Sequence, residues 1–352
     1  MSFLDSKRIV GTETDRVGVD AVTGGWKEVG RTTLGSAGDT IDVTSLPDKR
    51  YYMILMDYRD TGGQINTNMT INNDTGNNYA RRWSTDGATD STQTSRNSMN
   101  HGHYTANDGY AVAYLSNVSS KEKLLLSHSV ANNSGTGAGT APNRNEFVGK
   151  WANTSNVVSS IKHTNSDTGS FTSGSEVVVL GYNPDDTHTD NFWEELADIT
   201  TNSAGALSSG TFTAKKYLWV QAYTTGSTNS SPDGYIEFNA DSNTNYCHRR
   251  SHNGGTQTVG TQDGIGIRID GTGGTTPKFH NFFIKNVAGD EKLVIANSVT
   301  QNAASATNAP SRTDSVGKWV NTSDQITRID IIDQYSTPAW GAGSFIKVWG
   351  AN

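Results

Sequence analysis

Three sets of side chains in this sequence have types and spacing that a metal site or an acid–base reaction would need. His101-Gly102-His103 places two imidazoles two residues apart, able to face one ion. The turn from Asn72 through Asp74 to Asn78 is rich in oxygen and has a twin carrying Asn239 and Asp241. Calcium takes about six to eight oxygens, and each turn offers one carboxylate, so Asp74 and Asp241 are ligand contacts only with help from elsewhere. Glu28 and Glu122 recur as Glu195 and Glu291. A glycosidase would set two such carboxylates about 5–10 Å apart across a cleft.

Plainer readings compete with each. His-x-His in a polar stretch reads as a surface loop. An Asx turn spends its side-chain oxygens on its own backbone. The glutamates lie beside lysines at strand ends or turns and read as solvated. Arg82/Arg249 and Arg144/Arg312 recur and read as bridges to carboxylates or carbonyls beneath loops. Trp83 and Tyr104 lie near polar loops and are candidates to stack on a sugar, against a plainer reading as packing contacts. No zinc-protease, nucleophile-elbow, phosphate-loop or paired Cys-x-x-Cys motif is present, and the Gly-rich pieces at 135–139 and 271–274 precede no helix. The expectation is a chain that is not an enzyme and takes no cofactor or metal.

The elements that position these residues come from a duplication. Val148-Gly149-Lys150-Trp151-Ala152-Asn153-Thr154-Ser155 returns as Val316-Gly317-Lys318-Trp319-Val320-Asn321-Thr322-Ser323. Further pairs follow at nearly the same spacing: Trp26 with Trp193, Tyr79 with Tyr246, Lys121-Glu122-Lys123-Leu124 with Asp290-Glu291-Lys292-Leu293. Each copy alternates short apolar strands such as 53–56 or 110–115 with Asx, Gly and Pro turns. The stretches at 84–108 and 251–277 read as variable polar loops. Val157-Ser159-Ile161 and Ile326-Arg328-Asp330 read as alternating strand positions. The predicted fold is all-β: two tandem, homologous jelly-roll-like β-sandwich domains with at least eight strands each. The boundaries are an N-terminal arm or linker at 1–25, repeat 1 at 26–182, a linker at 183–192, and repeat 2 at 193–352. Trp26, Trp193, Trp151, Trp319, Tyr79, Tyr246, Arg82 and Arg249 are the expected structural anchors.

Bulk composition narrows the partners. A net charge of −7 without a basic cluster argues against nucleic acid. No stretch approaches the roughly 18 apolar residues of a membrane span, and the start lacks a signal peptide's apolar region. The single Cys247 allows no intrachain disulfide and reads as a small buried thiol.

The run from Trp26 to Thr40, the Asn-Asp-Thr-Gly-Asn-Asn-Tyr turn at 73–79 and the Gly-Lys-Trp-x-Asn-Thr-Ser motif together resemble a repeat module. That module is found in predicted virion structural proteins of marine, mostly uncultivated tailed viruses of bacteria and archaea. The likeness covers residues 26–181 and 193–352. It implies a non-enzymatic virion structural protein, a capsid decoration or a tail or fibre component, made in the host cytoplasm. Its partners would be itself, as a homo-oligomer, and other virion proteins. The alternatives are a carbohydrate-binding or receptor-binding surface protein meeting a host glycan, and a double jelly-roll major capsid protein.

Overall fold

The computed structural model describes residues 25–60, 62–102, 105–132, 135–201, 205, 207–226, 234–267, 276–301, 303–333 and 340–352. Residues 1–24 of the expected arm, and His103 and Tyr104, lie outside these.

Among the described residues the first copy has twelve strands: β1 (Lys27–Thr33), β2 (Thr40–Val43), β3 (Tyr51–Tyr58), β4 (Thr67–Ile71), β5 (Tyr79–Thr85), β6 (Ser91–Arg96), β7 (Met99–Asn100), β8 (Gly109–Ser116), β9 (Lys123–Ala131), β10 (Asn143–Trp151), β11 (Ile161–Asn165) and β12 (Glu176–Tyr182). The second repeats them as β13 (Glu194–Thr200), β14 (Leu207–Ser208), β15 (Tyr217–Thr224), β16 (Gly234–Phe238), β17 (Tyr246–His252), β18 (Thr258–Gln262), β19 (Ile265–Gly266), β20 (Lys278–Lys285), β21 (Lys292–Thr300), β22 (Ser311–Trp319), β23 (Ile329–Asp333) and β24 (Phe345–Ala351). Each copy packs an eight-stranded sheet, in the order β1-β12-β3-β8-β9-β10-β5-β6, on a four-stranded sheet, β2-β11-β4-β7, and copy 2 follows the same order. The ribbon β3-β4-β5 pairs antiparallel with β12-β11-β10 while both pass from the large sheet to the small one and back. That wrap gives the sandwich its jelly-roll character. The fold is all-β, with two sandwich domains in tandem.

Alternation explains the layers. In β4 and β11, odd positions are buried and even ones half-exposed, as expected when one face meets a core and the other solvent. Strand β3 is buried from Tyr52 to Tyr58 on both faces, because a third core lies outside its sheet. One core fills each sandwich, around Trp151 in copy 1 and Trp319 in copy 2. The third joins Met53, Leu55, Tyr110 and Val178 of copy 1 to Tyr217, Phe283, Leu293 and Val316 of copy 2. The two large sheets are thus stacked, giving four layers. The segment at 183–192 is pinned: Lys49 Nζ lies 2.7 Å from Asp186, and the Arg50 N–H donates to Asn183 Oδ1 at 2.6 Å.

Several expectations need correcting. The stretch 84–108 holds β6 and β7, with Met99 and His101 fully buried, and 251–277 holds β18 and β19. A short edge strand of polar residues carries almost no hydrophobic period, so only its one inward residue marks it. The residues before Ile161 and Ile329 are not in strands. Asn72 Oδ1 instead accepts the N–H groups of Ser159 and Ser160, and Asn239 Oδ1 accepts those of Thr327 and Arg328. A side-chain amide there replaces the ladder. Glu291, expected in solvent, is buried against copy 1, where it accepts from the Asn132 side chain and the Gly137 N–H.

Candidate functional site

The repeated motif closes each sandwich. The Trp151 indole N–H donates to Asp74 Oδ2 at 2.7 Å, and its ring stacks on Tyr79 with centroids 6.5 Å apart. The Tyr79 hydroxyl donates to the Asp74 carbonyl. In copy 2, Trp319 reaches Asp241 Oδ2 at 2.8 Å and stacks on Tyr246 at 6.3 Å. Asp74 accepts further from the Gly76 N–H and the Asn78 amide, and Asp241 from Asn243 and Asn245. Burial pushes the Asp74 carboxyl up, and the donations from Trp151, Asn78 and Gly76 outweigh it, leaving its pKa lowered. These carboxylates are therefore indole acceptors in Asx turns, the plainer of the two readings of the sequence.

The rest of the motif follows from packing. A Cβ on Gly149 would come 2.6 Å from Met99 Sδ, and one on Gly317 2.6 Å from Ile265 Cγ2, so the β7 and β19 plugs require glycine beneath them. Asn153 Oδ1 accepts the N–H groups of Ser155 and Asn156, while its carbonyl takes the ammonium of buried Lys123 at 3.2 Å. Lys292 and Asn321 repeat that contact at 2.9 Å.

Between the copies lies a cluster of charges. Lys285 Nζ and Asp57 Oδ1 are 2.8 Å apart, and both side chains are fully buried. Lys216 reaches Asp57 at 3.2 Å and Glu176 at 3.0 Å, the Tyr217 hydroxyl donates to Glu176 at 2.8 Å, and Asp290 lies 3.1 Å from both Lys285 and Arg59. Burial would raise the Asp57 pKa, but Lys285 foremost, then Lys216 and Arg59, hold it at about 2. The opposite pull of Asp57, Asp108 and Asp290 overcomes burial and raises Lys285. A second polar seam runs alongside: Lys318 donates to the Gly135 carbonyl, Arg144 to the Asp314 carbonyl, and Thr261 Oγ1 to the Ala138 carbonyl. Cys247, buried with its pKa pushed up by burial, sits beside Thr261 under that loop.

In copy 1 the large sheet extends past the small one and leaves a groove of about 460 Å³. Arg81 and Trp83 of β5, Asn143, Asn145 and Phe147 of β10, and Asn66 and Asn100 line it. Arg81 bonds Gln93 through Nε and Nη2, leaving Nη1 without a partner, and Asn100 Oδ1 and Asn145 Oδ1 are likewise unpaired. Copy 2 closes the same space. His248, Arg250 and Gly266 replace Arg81, Trp83 and Asn100, and a Cβ on Gly266 would lie 2.5 Å from Arg250. Arg81, Asn100 and Asn145 were not among the sequence candidates. The alternation Tyr79-Arg81-Trp83 and its change to Tyr246-His248-Arg250 is the signal that points to them.

The remaining candidates fall as follows. Trp151, Trp319, Tyr79 and Tyr246 are fully buried, and Trp193 is buried between the copies. Trp26 is half-buried against Tyr114 and Tyr182. Trp83 is half-buried, with the Arg81 guanidinium 5.4 Å from its ring. Arg82 does not anchor anything: it is exposed, with Asp90 at 3.4 Å. Its twin Arg249 faces copy 1, 3.2 Å from Asp86 and donating to the Pro142 carbonyl at 2.8 Å. Equivalent positions diverge because only one of them meets the other domain. Tyr104 lies outside the described residues. His101 is not on a surface loop; it is fully buried and shares a hydrogen bond of 2.9 Å with His163. Among the described residues, no group of three His, Cys, Asp or Glu side chains could hold a metal ion, and no helix is long and apolar enough to cross a membrane.

No protein-family model matches the chain, and no curated protein matches it. Among solved structures it is similar to domains LG4-5 of the mouse laminin alpha1 chain, at 9% identity over 92% of this chain and 89% of that one, with a TM-score of 0.20. It is also similar to Ail, the attachment invasion locus protein of Yersinia pestis, at 6% identity over 79% of this chain and 97% of that one, with a TM-score of 0.13. Superpositions this loose carry no argument, and the functional reading rests on the chain's own geometry.

Proposed function

We propose that this chain is a non-enzymatic structural protein that works by assembly, a virion component of the capsid-decoration, tail or fibre kind. The observation that carries the reading is the buried charge cluster around Asp57 and Lys285. Asp57 and Lys285 are fully buried between the two stacked sheets, a placement that favours fixed register over reactivity. The repeated Asp–Trp–Tyr closure also spends its carboxylates on packing. The test is mass spectrometry and immunogold imaging of purified native particles. Stoichiometric presence at symmetric positions supports the reading, and the copy number separates a major capsid protein from a decoration or fibre. Absence from particles removes it.

A second reading has its own support in the copy 1 groove. An aromatic side chain beside an unpaired guanidinium N–H and two unpaired amide oxygens is a donor and acceptor set suited to a saccharide. This would make the protein a carbohydrate-binding surface component, with Trp83 and Asn145 as contacts. Glycan-array binding that disappears in Trp83→Ala and Asn145→Ala supports it; an array without binding by the native chain rejects it.

A further inference from the structure

The two copies meet through different faces of one shared design. Copy 2 contributes Tyr217, Phe283, Leu293, Ile295 and Val316, each no more than 5% exposed. Copy 1 receives them on Leu55, Tyr110, Val112 and Val130, toward the opposite end of its large sheet. The interface is therefore heterologous: the contributing face of one domain meets the receiving face of the next. Register gives the counterparts of the contributing residues in copy 1. They are Tyr51, Tyr114, Leu124, Leu126 and Val148, and all five are 36–57% exposed. These are the five large hydrophobics that copy 1 leaves exposed among the described residues. Copy 2 in turn leaves the counterparts of the receiving residues open, with Phe279 and Val299 each 41% exposed beside Gln221 and Asn281.

We infer that a second copy of this chain docks its copy 2 receiving face onto the copy 1 contributing face. The chains would stack head to tail and repeat the internal interface. The proposal rests on the assembly reading above and specifies its geometry. Contiguous apolar surface on one side of a sheet marks an interaction site, and here the internal interface shows what such a surface accepts. The charges agree. Where the internal interface buries Asp57, Glu176 and Lys285, the free faces carry Tyr223, Phe345 and Ser116. The Asp57, Glu176 and Lys285 positions change together, so docking leaves none of those three charges facing an apolar partner, while Arg50, the counterpart of Lys216, keeps its cation at an exposed position over the Tyr51 ring. Tyr223 and Phe345 stack with centroids 5.6 Å apart, extending the apolar landing area. Glu122 and Lys150, 2.8 Å apart, stand where Glu291 and Lys318 meet the receiving domain inside the chain. Without the covalent link that joins the two copies, the contact between chains should be weaker than the one within a chain, and reversible with concentration.

Sedimentation velocity of the full chain over about a hundred-fold concentration range tests this. Expected are species of more than two chains that grow with concentration. Leu126→Asp and Val299→Asp, both at exposed positions, should each be monomeric. Their equimolar mixture should stop at a one-to-one dimer, since each variant keeps one working face. A native chain that stays monomeric throughout, growth unaffected by both variants, or a mixture that forms no dimer overturns the proposal. So does growth that appears only after deleting residues 1–24, because that segment is then the occupant. Stacking by a chain absent from native particles upholds this inference and defeats the virion reading; a particle-bound chain that never stacks does the reverse.

Discussion

Lys285 and Asp57 form an ion pair 2.8 Å apart across the boundary between two sandwich domains, with no solvent exposure on either side chain. Removing one partner leaves a buried charge with weaker compensation, which costs about 3–5 kcal/mol. Lys285→Ala should lower the unfolding free energy, read from urea denaturation, by an amount in that range. Asp57→Asn combined with Lys285→Met should recover most of the loss, and a double variant no better than the single would show that the pair does not act as a unit. Asp57 also sets an acid limit. Its folded pKa of about 2 lies below the ordinary 3.8. Its contribution is therefore complete above 3.8 and is lost as pH falls toward 2.

Buried histidines should act at milder acidity. Burial holds His101 neutral down to about 3, and His163 well below its ordinary value through burial first and His101 second. The unfolded chain takes up protons at both near the ordinary 6.5. The pair thus opposes the fold progressively as pH drops below 6.5. His248, at about 4, and His280, at about 3, act in the same direction. Copy 2 fills the equivalent positions with buried Ile267 and Ile331. Replacing His101 and His163 together by isoleucine should flatten the melting temperature between pH 6.5 and 5 relative to the native chain. An unchanged slope would place the acid sensitivity elsewhere.

The Asp74–Trp151 contact predicts a graded series. Asp74→Ala leaves a buried indole N–H unpaired and should destabilise copy 1 by about 2 kcal/mol, whereas Asp74→Asn keeps an acceptor and should lose about half of that. Asp241→Ala should do the same in copy 2. Equal losses for Asn and Ala, read from chemical denaturation, would mean that the turn rather than the indole bond matters.

One substitution should stabilise. Ala240 has a φ of 57° and occupies the position of Asn73, whose φ is 55°. A left-handed conformation strains alanine more than asparagine. Ala240→Asn should add about 0.5–1 kcal/mol, measurable as a higher unfolding midpoint.

Much of the fold was legible because duplication writes each packing solution twice. Trp151 and Trp319 share neighbours in sequence and in space, and strands such as β3 and β8 are long enough for their composition to identify them. What composition hid were the short edge strands β7 and β19, each a single inward residue in polar surroundings. The interface between the copies was hidden for another reason. Pairing repeats directs the eye to positions that match, yet matched residues play different parts, Arg249 at the interface and Arg82 in solvent, and the buried ion pair sits where the copies differ, at Asp57 against Tyr223 and Lys285 against Ser116. The groove in copy 1 was missed in the same way, through Arg81 and Asn100 against His248 and Gly266.

Cys247 gives this architecture a built-in gauge. It is the sole thiol of the chain, and the 135–139 loop of the other domain covers it through Thr261. A thiol reagent can reach it only when that loop lifts or β17 opens. The labelling rate of one native side chain thus clocks how often the stacked sheets part, without any probe being added to the protein.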